Sequence, residues 1–251
     1  MRDSELLERM HANQLRFYRA MCAASPGARA IELDGVLAAV IPAAPLRSVF
    51  NSVLYDDPET LAASLDAFAR EYDEADVRAW TVWVHESDDD TARVLERAGH
   101  SLDAQPRAMV MELDGFERPI DRDLDWSDRG DIGVVSRIND GSYPFPERPF
   151  SGAGMTTIDA RLYVANVDDG PAACLGAIDE GGDCGIYMVA TLPEARGHRL
   201  AGRLLAQALA DARERGCETS SLQATKMGAP VYERVGYRDL GALGMWERRA
   251  E

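Results

Sequence analysis

The segment that most restricts the fold is residues 185–216, GIYMVATLPEARGHRLAGRLLAQALADARERG. Residues 186–191 form an apolar run of strand length that stops at Leu192-Pro193. A polar turn from Glu194 to Arg199 follows, and from Leu200 the pattern changes period. Leu200, Leu204, Leu205, Ala208, Leu209 and Ala212 then recur at helical spacing, a stripe that must face a core. Arg213 and Arg215 fall in the last turn, and Gly216 suits the residue after it. A strand feeding through a Gly- and Arg-containing turn into a helix is an anion site. The first N–H groups of the helix have no partner within it and lie at the positive end of its dipole.

With 251 residues, the chain is long enough for one large domain or two small ones with real cores. Hydrophobic residues make up 46% and charged residues 28%, an ordinary globular profile. No run approaches the roughly 18 apolar residues of a membrane helix. The N-terminal MRDSELLERM lacks a basic segment followed by an apolar one, so neither an export signal nor a membrane partner is expected. Cys22, Cys174, Cys184 and Cys217 show no CxxC spacing and read as buried free thiols of a cytoplasmic protein, although Cys174 and Cys184 could face each other on paired strands. The net charge of −16 argues against a nucleic-acid partner and is compatible equally with a cationic acceptor or with simple solubility. Lys226 is the only lysine.

The turn itself, Arg196-Gly197-His198-Arg199-Leu200-Ala201, resembles the Q/R-x-x-G-x-G/A pyrophosphate loop of the GNAT superfamily of N-acyltransferases, with Arg199 where glycine is usual. Downstream, Leu222-Gln223-Ala224-Thr225 and then Pro230-Val231-Tyr232-Glu233-Arg234-Val235-Gly236-Tyr237 are similar to the family's strand, short helix with a tyrosine, and Gly-aromatic pair. Both segments stand in the family's order and spacing, and the resemblance covers about residues 160–250. It implies an α/β (α+β) fold whose mixed, mostly antiparallel sheet is flanked by helices. It also implies acetyl-CoA as cosubstrate.

Upstream, residues 1–25 read as an amphipathic helix ended by Ser25-Pro26-Gly27, with strands expected over 30–41 and 48–54. Asp57-Pro58-Glu59 is a helix start with its own cap, followed by Leu61, Leu65, Phe68 and Tyr72. A strand over 79–85, a short helix over 90–98 and a strand over 108–113 come next. Val94-Leu95-Glu96-Arg97-Ala98-Gly99-His100 lines up with 231–237, so the chain reads as two tandem GNAT-like units, residues 1–117 and 118–251. The first has no glycine in its strand-to-helix turn, where Asp56, Asp57 and Glu59 would repel a pyrophosphate, and carries Leu95 in place of Tyr232. It is expected to bind no CoA. Residues 117–131 suit a linker, 132–138 a helix, and 139–146 a turn-rich loop without regular structure over the acceptor site. Strands over 161–167 and 172–178 form a hairpin leading to the strand at 185–191.

Acyl transfer from a thioester to an amine requires a held donor, a neutral amine, a stabilised oxyanion and a proton for the thiolate. The backbone of residues 196–202 (Arg196, Gly197, His198, Arg199, Leu200, Ala201, Gly202), with the Arg196 and Arg199 side chains, would hold the pyrophosphate. By the resemblance, the main chain of Met188, Val189 and Ala190 would pair with the pantetheine arm, Thr225 would contact the cofactor, and Tyr232 would protonate the thiolate. Thr225 reads equally as a strand-end hydroxyl, and Tyr232 as a packed core tyrosine. No carboxylate lies on 185–191, so the general base stays open among Asp183, Glu180, Asp140 and Tyr187. No metal-ligand spacing occurs, and no G-x-S-x-G hydrolase motif. The sequence thus points to an N-acetyltransferase acting on a small-molecule or peptide amine, as a monomer or homodimer, by direct attack in a ternary complex. A non-catalytic acyl-CoA-binding or regulatory module is the alternative; a nucleotide-binding loop lacks both a Walker lysine and GxGxxG.

Overall fold

A computed structural model describes residues 1–250 apart from Pro119, Pro144, Pro146, Arg148 and Asp169. The chain opens with helix α1 (Asp3–Ala24), which buries Leu6, Met10, Asn13, Phe17, Tyr18 and Met21 along one side. The strand expected over 30–41 is a hairpin, β1 (Arg29–Leu33) and β2 (Val36–Val40), turned at Asp34-Gly35. Gly35 has φ +71 there, the left-handed geometry that an Asp-Gly turn supplies. The strand expected over 48–54 is confined to β3 (Ser52–Tyr55), because 47–50 closes a turn in which Phe50 N–H bonds Arg47 O. Helix α2 (Pro58–Glu74), strand β4 (Ala79–His85) and helix α3 (Asp89–Arg97) follow as expected. Strands β5 (Ser101–Ala104) and β6 (Arg107–Glu112) end the first half.

The charged 117–131 stretch contains a two-residue strand, β7 (Trp126–Ser127). Helix α4 (Ile132–Ser142) is capped by Asp131, whose carboxylate accepts from Gly133 and Val134 N–H. It runs through 139–142, where no regular structure was expected. Asn139 Nδ2 and Ser142 Oγ donate to the carbonyls of Val135 and Ile138, so these polar side chains are satisfied inside the helix rather than breaking it. Pro144 and Pro146 of that expected loop lie outside the described residues. The second half continues with β8 (Arg161–Val167), β9 (Gly170–Glu180), β10 (Asp183–Thr191), α5 (Leu200–Glu214), β11 (Thr219–Ala224), α6 (Ala229–Val235) and β12 (Arg238–Arg249).

Among the described residues, the strands form one 12-stranded sheet in the order β1-β2-β3-β4-β12-β6-β11-β10-β9-β8-β7, with β5 also on β12. It is mostly antiparallel, with parallel pairs at β3–β4 and β10–β11, where α2 and α5 make the crossovers. The halves exchange strands. β6 of the first half pairs with β11 from Arg107 to Glu112, whereas the second part of β12, Leu243 to Arg249, pairs with β4. One face carries a core common to both halves, in which α1 and α4 residues such as Phe17, Met21, Val135 and Ile138 meet Leu37, Trp83, Ile178 and Tyr187. The other face holds separate cores under α5 and under α2. Leu204, Leu205, Ala208 and Leu209 of the α5 stripe are all buried; truncating any of the leucines to Ala would cost about 2–5 kcal/mol.

The helix ends that resemble each other in sequence also match in geometry. Gly99 and Gly236 both take positive φ, +84 and +118, and the next residues bond back alike: His100 N–H to Leu95 O at 3.0 Å, Tyr237 N–H to Tyr232 O at 3.1 Å.

Candidate active site

Strands β10 and β11 pair only from Asp183 to Gly185 against Thr219 to Ser221. Beyond that they part, and residues 186–191 and 222–224 face each other across an open V. The closed end is fastened by Asp183, a fully buried carboxyl that accepts from Thr219 Oγ1 at 2.8 Å and Ser221 Oγ at 2.6 Å. Burial pushes this carboxyl above its usual range, while the two hydroxyls and Arg9 oppose the shift. Helix α1 braces the same end through Asn13, whose Nδ2 donates to Ile178 O and Asp183 O while its Oδ1 accepts from Tyr187. A Cβ on Gly185 would lie 2.1 Å from Asn13 Oδ1, so glycine is required for that approach.

Within the open arm, β10 carries a bulge. The register with β9 skips from Tyr187 to Ala190, and Met188 has φ +56, a conformation that disfavours side chains other than glycine. The Met188 carbonyl accepts from Asn139 Nδ2 at 3.2 Å and Cys174 Sγ at 3.4 Å. The Ala190 N–H is likewise turned to the Cys174 thiol. Because each peptide plane is trans, the Val189 N–H and the Val189 carbonyl both point the other way, into the V. The carbonyl accepts from the Tyr143 hydroxyl at 2.9 Å. Asn139 and Tyr143, one turn apart at the end of α4, thus hold consecutive carbonyls of the bulge.

At the mouth of the V, α5 begins without a cap. Its N-cap residue, Arg199, has φ +56 and ψ +25 and makes no side-chain capping bond. The left-handed turn that glycine normally supplies is therefore kept although the residue is arginine, and Gly197 beside it has φ +91. Among the described residues, the amides of Gly197, His198, Leu200, Ala201 and Gly202 have no partner, and the Gly197, His198 and Arg199 side of the turn is exposed. Arg196 is engaged, its Nη2 donating to Ser142 O at 3.0 Å. Arg203 forms a two-pronged ion pair with Asp121 at 2.6 and 2.7 Å. An open hollow of about 490 Å³ beside His198 and Arg203 is lined by Asp123, Asp125 and Asp168, a lining that repels phosphate.

Tyr232 stands on α6, half-buried in the α5 core with its ring 5.9 Å from that of Tyr237, edge to face. Burial, then the neighbouring Tyr143, raises its hydroxyl above the ordinary tyrosine range. It is therefore protonated at neutral pH, the state a proton donor needs. Thr225 Oγ1 accepts from Gly228 N–H at 3.2 Å and its carbonyl receives Ala229 N–H, so it shapes the turn into α6. The structure brings together the main chain of Met188, Val189 and Ala190, the start of α5, Tyr232 and, beyond the sequence expectation, Tyr143.

None of the base candidates opens onto the cleft. Asp183 is sealed at the closed end, and Glu180 is exposed on the β9–β10 turn. Asp140 accepts from the amides of Phe150 and Ser151, and Tyr187 is stacked on Phe17 with centroids 3.9 Å apart. Cys174 and Cys184 do not face each other, being opposite Ala190 and Asp179 in the ladder. Among the described residues, no cluster of His, Cys, Asp and Glu could hold a metal, and no helix is long and apolar enough to cross a membrane.

The strand-to-helix turn between β3 and α2 is shut. Its helix α2 is capped by Asp57, which accepts from Glu59 N–H at 2.9 Å and Thr60 Oγ1 at 2.6 Å. The Tyr55 hydroxyl bridges from the end of β3 to Asp88 Oδ2 at 2.7 Å, and Leu95 is fully buried.

A search of curated protein sequences finds no match to the chain. Solved structures share its fold over nearly its whole length. A GCN5-related N-acetyltransferase from Kribbella flavida is 15% identical with a TM-score of 0.69, covering 97% of this chain and 95% of that one. A functionally unknown conserved protein from Staphylococcus epidermidis is 16% identical with a TM-score of 0.63, covering 90% and 95%. A GCN5-related N-acetyltransferase from Sphaerobacter thermophilus is 17% identical with a TM-score of 0.57, covering 95% and 92%. The acetyltransferase (GNAT) domain model matches residues 159–239, the stretch holding the bulged strand, the uncapped helix and Tyr232. Residues 159–239 of the chain are thus identified as a GNAT acetyltransferase domain.

Proposed function

We propose that the protein is an N-acetyltransferase that binds acetyl-CoA in the V between β10 and β11 and transfers the acetyl group to a primary amine by direct attack in a ternary complex. The observation that carries this reading is the alignment of two features along one cleft. Val189 presents both its N–H and its carbonyl to the interior, and the uncapped start of α5 offers free amides at the mouth. The amides of 197–202 and the Arg199 guanidinium bind the pyrophosphate. The pantetheine arm pairs with Val189 as an added strand would, and the Val189 N–H meets the oxygen that gains charge during attack. Tyr232 delivers a proton to the departing thiolate.

On this reading, residues 118–251 are the active unit and residues 1–117 a degenerate copy. The first half braces the shared core and binds no CoA. The acceptor is a small-molecule or peptide amine. The buried free thiols at 22, 174, 184 and 217 suit a reducing, cytoplasmic setting. The test is thiol release from acetyl-CoA in the presence of a panel of primary amines. Amine-dependent release that falls at least tenfold in Tyr232→Phe supports the assignment; full turnover in that variant removes Tyr232 from the mechanism.

One observation favours a second reading, a non-catalytic acyl-CoA-binding module: Asp140, Tyr187 and Asp183 are committed to partners away from the cleft, and Glu180 is exposed on the β9–β10 turn. Stoichiometric acetyl-CoA binding without transfer to any amine would select it.

A further inference from the structure

We propose that the end of α4 is an intramolecular latch over the cleft, in which Ser142 and Tyr143 occupy the groups that an acyl donor must use. The inference rests on the acyl-CoA reading of the site and adds an internal competitor to it. Two adjacent residues take two donor-binding groups at once. The Ser142 carbonyl receives Arg196 Nη2 at 3.0 Å, so a guanidinium at the start of the anion turn is held by a carbonyl oxygen where a phosphate oxygen would go. The Tyr143 hydroxyl donates to the Val189 carbonyl at 2.9 Å, the inward acceptor with which an amide N–H of the arm would pair.

The geometry is built to give way at Tyr143. Its neighbour Asn139 grips the Met188 carbonyl from the buried side of the strand, and that bond does not obstruct the cleft. Tyr143 is instead the C-cap residue, with extended backbone, and its ring is only half-buried. Swinging this ring out leaves the bulge fixed by Asn139 and frees the Val189 carbonyl. A donor therefore displaces both latch contacts as it enters, and the α4 terminus moves away when the cleft fills.

The test is calorimetric titration of the intact chain and its Tyr143→Phe variant with two probes. One is acetyl-CoA. The other is adenosine 3′-phosphate 5′-diphosphate, the nucleotide part of CoA without its arm. Removing one neutral hydrogen bond that competes with the arm should tighten acetyl-CoA binding about 2–10-fold. Affinity for the nucleotide should change less than twofold. Unchanged or weaker acetyl-CoA binding, or an equal gain for both probes, overturns the latch. Failure of the wild-type chain to bind acetyl-CoA instead overturns the acyl-CoA reading, and the latch with it. Native-state hydrogen exchange supplies a measurement that needs no variant. Saturating acetyl-CoA should speed exchange at the Ser142 and Tyr143 amides, and slower or unchanged exchange contradicts the proposal.

Discussion

Asp57 and Arg199 are the N-cap residues of the two strand-fed crossover helices, and they treat the first turn in opposite ways. Asp57 closes α2 with its own carboxylate, whereas Arg199 leaves α5 open and enters it through a left-handed backbone. A non-glycine residue in that conformation costs roughly 1–3 kcal/mol. Arg199→Gly should therefore raise stability by about 1 kcal/mol, read as a higher urea midpoint at an unchanged slope. The same variant removes a cation from the anion turn, so its affinity for acetyl-CoA should fall several-fold. A stabilised variant with undiminished affinity would show that Arg199 contributes only strain.

His100, which aligns with Tyr237 in sequence, gives a pH signature. It is buried edge-on against Trp80, and burial followed by Arg248 lowers its pKa to about 4 from an ordinary 6.5. The folded protein thus binds fewer protons than the unfolded chain between those values. This contribution is fully present above about pH 6.5 and is lost as pH falls toward 4. His100→Phe keeps an edge contact and cannot titrate. Between pH 7 and pH 5 the variant should lose less unfolding free energy than the wild type, measured by urea denaturation.

Asp183 fastens the closed end of the V as a buried acceptor for two hydroxyls. Asp183→Ala leaves Thr219 and Ser221 without that acceptor and should destabilise by about 2–4 kcal/mol. Asp183→Asn preserves an acceptor oxygen and, since burial already favours the protonated carboxyl, should cost far less. Equal losses in the two variants would mean that the hydroxyl bonds contribute little.

The strand exchange predicts that neither half stands alone. Residues 118–251 by themselves lack β6, which lies between β11 and β12, and residues 1–117 lack the β12 segment that pairs with β4. The whole chain should unfold in a single calorimetric transition. A 118–251 fragment should lack cooperative unfolding and bind no acetyl-CoA. Two separate transitions, or a folded and binding fragment, would show that the halves are independent.

The parts of this fold governed by local pattern were readable from the chain. The α5 stripe, the Asp57 cap and the strand at 79–85 depend on neighbours a few residues away, and they appear where expected. The β1–β2 turn does carry a local signal in Asp34-Gly35, but the apolar run of β2, buried on both faces, outweighs it in a single expected strand over 30–41. The exchange of β6 and β12 leaves no local trace, since Met111 meets Ser220 and Trp246 meets Val82 across long stretches of sequence. At the candidate site, the turn at 196–201 and Tyr232 carry a recognisable pattern. The bulge does not, because Met188 takes a glycine-like backbone without being glycine. Tyr143 was hidden by its surroundings: Asn-Asp-Gly-Ser reads as a loop, yet α4 continues through it and delivers the tyrosine to Val189.

The most direct test of the central claim is the stoichiometry of acetyl-CoA binding to the purified full-length chain, measured by isothermal titration. One equivalent per chain is predicted, with the open α5 turn as the live site and the capped α2 turn silent. Two equivalents would contradict the closed first half, and no binding would contradict the proposed function itself.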